Sequence, residues 1–425
     1  MTRSRPFPLA VAALLLAGCA SSPLIRASED GKTAQVVELL KKGADPDVVD
    51  KWSGFTPLIA ATFNGHKDTV QALLDKRADP KEANPLGMTA LHWAAVVGRA
   101  DIAKLLLAKG AKADARDGWG DTPLLLAAQR GRADAVRLLL QSSATVDALG
   151  VDLNIQGTSV LAPDAPESRN CSPLILASQN GSLPVVKMLL DAGANPARRT
   201  DAGQTALLLA ASRGRADVVQ ELLARGANVE DRDVKGRTAL ALAARTPRLD
   251  CVKLILARGA NANSRDSDGF TPLMRTAQSG RADVAKALLD AGADPSQFNG
   301  AIDTALMIAV AGNRIDAAGV LIAAGSGVLE LRDRNSRTAL MLAALKGSVE
   351  IVGALLNAQA QVNTQDVNGQ TPLIAASDRG YFAVVQILMS RGADASTRDR
   401  WGKTAFAYAQ AKRRGDIIGL LGPSR

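Results

Sequence analysis

A period of 33 residues constrains the fold of this chain more than any other feature of its sequence. Twelve segments open with Thr or Ser, then Pro or Ala, then Leu, with Phe in place of Leu in the last one. Ten of the eleven intervals between openings are 33 or 34 residues long. The openings are Ser22, Thr56, Thr89, Thr122, Ser172, Thr205, Thr238, Thr271, Thr304, Thr338, Thr371 and Thr404. A segment this short cannot bury its own apolar face, so the period predicts twelve repeats stacked in series.

Each repeat carries the signals of two short helices. The opening hydroxyl suits an N-cap, and a proline in the next position, as at Pro57, suits the first helical residue, whose amide needs no partner. A glycine nine residues after the opening, as at Gly65, is typical of a left-handed residue that ends a helix. The second segment has apolar residues such as Val218 and Leu222 at the spacing of one buried helical face. The pattern therefore predicts a helix-turn-helix in every repeat.

The T-P-L opening and the 33-residue period resemble the ankyrin repeat, from Ser22 to about Leu421. The resemblance implies an all-α ankyrin-repeat solenoid of about twelve helix-turn-helix units. His92 matches the histidine of the family's T-P-L-H signature, which implies a structural histidine that hydrogen-bonds between neighbouring repeats. One interval of 50 residues places an insertion at about residues 147–170, which we interpret as a protruding hairpin or ordered loop. This insertion is either a binding loop or a tolerated addition.

The N-terminus indicates export and lipid attachment. Arg3 and Arg5 precede an apolar run of nine residues, 9–17, which is too short to cross a bilayer as a helix. The run leads into Leu-Ala-Gly-Cys19, which resembles the bacterial lipobox; the alternative is an ordinary signal peptide with an incidental cysteine. The resemblance implies cleavage before Cys19 and acylation of its side chain. Ala20 after the cysteine implies an outer-membrane location facing the periplasm.

These features divide the chain into four parts. We expect a lipoprotein signal peptide at 1–18, a lipid anchor and tether at 19–21, the ankyrin-repeat solenoid at 22–421 and a C-terminal tail at 422–425. No other stretch reaches 18 consecutive apolar residues, so we expect no membrane-spanning helix in the solenoid.

The sequence offers little for catalysis or metal binding. It has 2 His and 3 Cys, and no G-x-S-x-G, H-E-x-x-H or C-x-x-C motif. Gly402-Lys403-Thr404 mimics the end of a phosphate-binding loop, but Thr397 stands where that motif requires glycine. We therefore predict that the protein is not an enzyme and has no cofactor, metal or small-molecule substrate.

In the ankyrin family, partners contact the turn tips and the exposed side of the first helix. By resemblance, these are the positions four, three and one before each opening residue and seven and eight after it, which we call the recognition columns. In the early repeats the columns are apolar, as in a binding hot spot, and the alternative is that the insertion covers them. The predicted apolar contacts are Trp52, Phe55, Phe63, Leu86, Met88, Val97 and Trp119.

Farther along the chain the same columns become basic, in a sequence with a net charge of +9. The predicted basic contacts are Arg130, Arg169, Arg213, Lys235, Arg237, Arg245, Arg334, Arg337, Lys346, Arg379, Arg400 and Lys403. This stripe favours an acidic protein partner, with an anionic surface such as lipid headgroups or lipopolysaccharide as a second possibility. A solvated face with random charge placement is the third. Nucleic acid is not expected, since no column of aromatic residues runs through the basic region.

The sequence thus predicts a non-catalytic scaffold, chaperone-like or inhibitory lipoprotein that binds an acidic partner on its concave side in the periplasm. An immunity or stress-protection factor for a periplasmic toxin or enzyme is an alternative function. Binding of an anionic membrane or of lipopolysaccharide is another.

Overall fold

The computed structural model describes residues 22–51, 53–151 and 169–422, and within them it contains twenty-four α-helices in twelve pairs. The helices are α1 (Pro23–Glu29), α2 (Thr33–Lys41), α3 (Pro57–Asn64), α4 (Lys67–Asp75), α5 (Ala90–Val97), α6 (Ala100–Ala108), α7 (Pro123–Gln129), α8 (Ala133–Gln141), α9 (Pro173–Asn180), α10 (Leu183–Asp191), α11 (Ala206–Ser212), α12 (Ala216–Ala224), α13 (Ala239–Ala243), α14 (Leu249–Ala257), α15 (Pro272–Ser279), α16 (Ala282–Asp290), α17 (Ala305–Ala311), α18 (Ile315–Ala323), α19 (Ala339–Lys346), α20 (Val349–Asn357), α21 (Pro372–Arg379), α22 (Phe382–Ser390), α23 (Ala405–Ala411) and α24 (Gly415–Leu421). The predicted all-α solenoid of twelve helix-turn-helix repeats is confirmed. The helices of the described ranges are all too short or too polar to cross a membrane.

The helix ends follow the chemistry read from the sequence. The hydroxyl of Thr56 accepts a hydrogen bond from the Ile59 amide at 3.2 Å, and Pro57 is the first residue of α3. Gly65 ends that helix at φ +79°, a left-handed conformation in which glycine is unstrained. Asn313, which replaces the glycine after α17, adopts φ +50°. Local capping therefore fixes where each pair of helices starts and turns.

The chain divides into two compact bodies. We call the described residues up to Ala210, with Asp217–Asn228, the N-terminal body, and Ala211–Ala216 with the described residues from Val229 onward the C-terminal body. Within each body, first helices pack on neighbouring first helices and second helices on neighbouring second helices. Alternate small and large apolar side chains, such as Ala94 and Leu91, are fully buried between them. Stacking of neighbouring repeats therefore buries the apolar faces that a single repeat would leave exposed, and these faces form the core of each body.

The insertion has a paired base. Strand β1 (Gly150–Val151) runs antiparallel to β2 (Arg169–Cys171), with Gly150 opposite Cys171. A Cβ atom on Gly150 would lie 2.1 Å from the Asp121 carboxylate and 2.8 Å from Leu125, so only glycine fits this approach to the first helix of the repeat. The base agrees with the predicted hairpin, and residues 152–168 lie outside the described ranges.

Neighbouring turns in the C-terminal body are joined by backbone hydrogen bonds. The Ser267 amide donates to Lys235 O at 2.9 Å, and bonds of this kind also join the next pair of turns and the last two pairs. Between the turns at Ala301 and Arg334, among the described residues, this bond is missing. The first of these turns contains Ile302 at φ +66°, where four other turns of this body carry glycine at φ +70° to +76°. A β-branched residue in this region is strained, because its Cβ approaches the following carbonyl.

Replacing Ile302 with glycine should relieve this strain. The Ile302→Gly variant is expected to raise the free energy of unfolding by about 1 kcal/mol, since the side chain is 40% exposed and little packing is lost. Urea denaturation followed by circular dichroism measures the change. Ser336→Gly, at φ +58° in the next turn, is the control and should gain less, because serine is not β-branched. A loss of stability in Ile302→Gly would show that its side chain packs and is not merely strained.

Candidate partner-binding surface

Two of the apolar residues predicted at the recognition columns are core residues. Phe55 is 1% exposed and Met88 is 3% exposed, so the expectation that they form an accessible patch is wrong. The Phe55 ring lies against Trp93 of the next repeat at a centroid distance of 5.3 Å, and Phe63 lies 5.1 Å from the same indole. The three rings pack edge to face, with 6.0 Å between the two phenylalanines. The cluster buries apolar surface inside the repeat stack.

The sequence analysis missed Trp93, the centre of this cluster. It stands four residues after the opening Thr89, in a column of mostly apolar residues that includes Leu126 and Leu209, and it is 1% exposed. Its indole Nε1 has no hydrogen-bond acceptor among the described residues. The sequence did contain a signal for this cluster. An aromatic residue in this buried column stands one repeat after Phe55 and Phe63, where it can pack against both rings.

The remaining apolar candidates are partly accessible. Leu86 is 36% exposed, and Phe63, Val97 and Trp119 are half-buried. Trp52 lies outside the described residues. The accessible apolar surface of the N-terminal body is therefore smaller than the sequence predicted.

The basic columns contain a set of buried aspartates that the sequence count left out. Asp233 stands five residues before its opening threonine, where its Oδ1 accepts hydrogen bonds from the Lys235 and Arg237 amides at 3.0 and 2.9 Å. Its Oδ2 pairs with the Arg237 guanidinium at 2.6 Å, and the Asp233 side chain is 1% exposed. Asp333 and Arg337 repeat the arrangement at 2.7 Å. Each carboxylate therefore closes a turn and neutralises an arginine.

Arg237 and Arg337 are consequently not free recognition charges, and their assignment to the exposed basic stripe is wrong. Both are half-buried and held in an ion pair. The Arg275 guanidinium forms a similar ion pair with the Asp266 carboxylate, with an N–O distance of 2.5 Å. In the last repeat the Asp399 carboxylate instead accepts a hydrogen bond from the Tyr408 hydroxyl at 2.6 Å. Burial and this hydrogen bond raise the pKa of Tyr408.

Eight of the predicted basic residues remain exposed and take part in no ion pair within the described ranges. They are Arg213, Lys235, Arg245, Arg334, Lys346, Arg379, Arg400 and Lys403. All eight lie in the C-terminal body. Desolvation, followed by the charges of Arg275 and Arg237, lowers the pKa of Arg245.

Two basic candidates lie in the N-terminal body. Arg130 is half-buried, and burial together with the charge of Arg132 lowers its pKa. Arg169 belongs to β2, and its side chain lies outside what the structure describes.

Comparison with known families agrees with the repeat architecture. Family models of ankyrin repeats match residues 24–117, 110–200, 153–233, 230–299 and 297–366 (three-copy model) and 355–409 (many-copy model). The chain belongs to the ankyrin-repeat family. The crystal structure of the human ASB11 ankyrin repeat domain is similar to 56% of this chain and to 98% of its own chain, with 26% identity and a TM-score of 0.47. No curated protein matches the chain.

Ankyrin-repeat proteins are generally non-catalytic interaction scaffolds, so the family indicates protein–protein interaction. Within the described ranges, no group of three or more His, Cys, Asp or Glu side chains is arranged to hold a metal ion. Cys251 is a fully buried core residue, and burial raises the pKa of its thiol to about 12. Cys171 is also fully buried.

Many arginines of these ankyrin repeats bind the backbone of a neighbouring repeat. Arg99 Nη2 donates to Gly65 O at 2.9 Å, at the C-terminus of the preceding first helix. Arg232 Nη1 donates to Gly236 O and to Arg265 O in the next turn, at 3.1 and 2.7 Å. Part of the basic composition of the chain is therefore structural.

The two histidines also join ankyrin repeats. His92 Nδ1 lies 3.1 Å from the Thr89 amide, and Nε2 lies 3.1 Å from Ala115 O and 3.2 Å from Asp121 O in the following repeat. The structural histidine implied by the signature is present. His66 contacts Glu29 O of the preceding repeat through Nε2 at 2.9 Å.

Proposed function

We propose that the protein is a non-catalytic scaffold, chaperone-like or inhibitory lipoprotein of the bacterial periplasm that binds an acidic protein partner on the concave side of its C-terminal body. One observation carries this proposal: eight exposed cations at the recognition columns have no ion pair within the described ranges. Intramolecular carboxylates neutralise Arg237 and Arg337 but leave these eight charges unpaired.

The available cations lie next to apolar tips. Val234 is 69% exposed beside Lys235, and Val367 is 57% exposed one repeat after Arg334. The Arg400 guanidinium stacks 4.7 Å from the Trp401 ring, which is 54% exposed. Apolar anchors surrounded by cations favour a protein surface over a purely ionic ligand, because the apolar contacts supply affinity and the charges supply orientation and association rate. In the N-terminal body, Phe63, Leu86, Val97 and Trp119 remain as apolar contacts.

Charge reversal at two of these positions should weaken partner binding. Cross-linking of the intact protein in its membrane, followed by identification of the captured protein, gives the partner. Arg334→Glu with Arg400→Glu is expected to weaken its binding by at least about tenfold, and the loss should diminish at high salt. Lys253→Glu with Lys286→Glu, at two exposed residues of the second helices α14 and α16, is the matched control. Equal losses in both variants, or binding that high salt does not weaken, would argue against recognition by these cations.

Membrane attachment through Cys19 is part of the proposal and lies outside the described residues. Its support is the lipobox-like Leu-Ala-Gly-Cys19 sequence after a short apolar run. Cys19→Ala should eliminate palmitate labelling and move the protein from the membrane fraction to the soluble fraction. Membrane fractionation and radiolabelled palmitate test this, and persistent labelling of Cys19→Ala would exclude the assignment.

The two alternative functions predict different captured ligands. An immunity or stress-protection factor would yield a toxin or a periplasmic enzyme in the cross-linking experiment. For an anionic surface, the soluble form lacking Cys19 would sediment with phosphatidylglycerol vesicles or with lipopolysaccharide. The apolar tips beside the cations favour the protein partner.

A further inference from the structure

A second accessible apolar surface lies on the second helices of the repeats in the C-terminal body, which we call the outer helices. Its apolar residues lie outside the recognition columns. Ile315, Val349 and Phe382 are the first residues of α18, α20 and α22, which belong to three consecutive repeats. They are 44%, 36% and 38% exposed. The outer helices pack side by side, so the three side chains form a row with about 10 Å between neighbours. We call this row, with Gly319 and Gly353, the outer row.

The outer row lacks the charges that occupy the same position in earlier repeats. Four residues after its first residue, each helix presents a residue on the same exposed face. In earlier repeats this residue is frequently a cation, namely Lys104, Arg137, Lys187, Lys253 and Lys286, all of them exposed. In α18 and α20 it is Gly319 and Gly353. In these two repeats a glycine therefore stands next to a large apolar side chain, at the position where most earlier repeats carry an exposed charged side chain.

Internal packing does not require either glycine. A Cβ atom added to Gly319 or to Gly353 would have nothing within 4 Å. Both glycines lie in the middle of nine-residue helices, where glycine is less favourable than a residue with a side chain. Both glycines leave open space next to Ile315 and Val349, which we call the furrow and into which the side chains of another molecule can fit.

Unpaired cations lie along one edge of the outer row. Arg314 precedes Ile315 directly, and Lys346 and Arg379 each stand three residues before the first residue of the next two outer helices. All three are exposed, and none forms an ion pair within the described ranges. Lys346 and Arg379 end the first helices α19 and α21 and also belong to the recognition columns, and all three cations lie beside the turns that lead into α18, α20 and α22. Asp316 and Glu350 follow in the same turns, so the edge has both signs and an excess of cations.

The spacing of the row matches an α-helix laid across the three outer helices. Seven residues of an α-helix advance about 10.5 Å, which brings side chains at i, i+7 and i+14 onto one face at the pitch of the repeats. We propose that the outer row is a second docking surface, for an amphipathic α-helix of a protein partner that carries apolar side chains every seven residues and carboxylates along one flank. The carboxylates meet Arg314, Lys346 and Arg379, and the apolar side chains enter the furrow.

The probe is a fluorescently labelled peptide of about 20 residues, with leucines on one helical face, glutamates along one flank and glutamines elsewhere. A shuffled peptide of the same composition controls for non-specific attraction. The leucine-faced peptide is expected to bind the full chain in fluorescence anisotropy, and the shuffled peptide is not. Absence of binding, or equal binding of the two peptides, overturns the proposal.

Gly353→Lys gives the sharpest variant, because it restores the residue type of the earlier repeats. It should fold at least as well as the natural protein in a thermal melt and yet weaken the peptide at least about tenfold. Phe382→Ser should weaken it similarly. Gln220→Lys, at the equivalent exposed position of α12, adds the same charge elsewhere and should leave binding unchanged. Binding that survives Gly353→Lys overturns the proposal.

Two further measurements separate the outer row from other occupants and from the proposed function. Sedimentation with phosphatidylglycerol vesicles, or self-association in analytical ultracentrifugation, that Phe382→Ser abolishes would assign the row to a lipid surface or to a second copy, and would overturn the proposal. Arg334→Glu with Arg400→Glu should leave peptide binding intact. A loss in this variant would place the peptide on the recognition columns and equally overturn a second surface.

Discussion

Trp93→Ala is expected to lower the free energy of unfolding of the N-terminal body by about 4 kcal/mol, the loss typical of a large aromatic side chain deleted from a packed core. The indole is 1% exposed and lies between Phe55 and Phe63 at centroid distances of 5.3 and 5.1 Å. Its removal leaves both rings without their common partner and opens a cavity between two adjacent repeats. Since a repeat protein is stabilised by its nearest-neighbour interfaces, the damage should concentrate between α3 and α5.

Urea denaturation followed by far-ultraviolet circular dichroism measures this loss. Trp401→Ala removes the same side chain from a position that is 54% exposed, and it should cost less than about 1 kcal/mol. The comparison separates an aromatic residue packed in the core from one exposed at a turn. Comparable losses in the two variants would show that the Phe55, Phe63 and Trp93 rings are not a core cluster.

The period and the caps were readable from the sequence because they depend on neighbours within one repeat. Thr56 and Ile59 are three residues apart, and Gly65 needs only its own backbone conformation to end α3. His92 was readable for a different reason, since its four-residue signature is specific to the family. Such local determinants fix the helix boundaries whatever the next repeat contains.

The solvent exposure of the recognition columns could not be predicted from single repeats. It depends on side chains in the next repeat and on side chains elsewhere in the same turn. Phe55 and Lys403 occupy the same column, yet Phe55 is buried against Trp93 and Lys403 remains exposed. Arg237 stands in an exposed column, but Asp233 four residues earlier turns back to pair with it. Counting charges by column therefore overestimated the free positive charge.

The structure suggests a rule for such counts. An Asp five residues before the opening threonine uses one oxygen to close the turn and leaves the other for a cation in its own repeat, as Asp233, Asp266 and Asp333 do. A column cation should be counted as available for binding only where it does not itself pair with this carboxylate. By this criterion Lys235 and Arg334 are the stronger candidates for partner contact, because Arg237 and Arg337 already occupy the carboxylates of their turns.

Acidification should weaken the natural protein more than a variant without His92. Burial, opposed by hydrogen bonds to the Asp121 and Ala115 carbonyls, lowers the pKa of His92 from 6.5 to about 4. Between these two pKa values the imidazole is protonated in the unfolded chain and neutral in the folded protein. The contribution of His92 is therefore fully present above pH 6.5 and is lost as the pH falls toward 4. Between pH 8 and pH 4.5 the expected loss is about 2.5 kcal/mol.

The measurement compares urea denaturation of the natural protein and of His92→Leu from pH 8 to pH 4.5. Leu125 and Leu208 occupy the same column in other repeats, so leucine is compatible with the site. Burial also raises the pKa of Asp117 nearby, but this carboxylate is present in both proteins, and the difference between the two curves isolates the imidazole.

The natural protein should be the more stable at pH 8, because the ring joins Thr89 to the next repeat. Its advantage should shrink by about 2.5 kcal/mol on acidification. Two curves that stay parallel over this range would mean that the folded protein protonates His92 as readily as the unfolded chain does, and that its hydrogen bonds to the next repeat do not depend on the neutral ring.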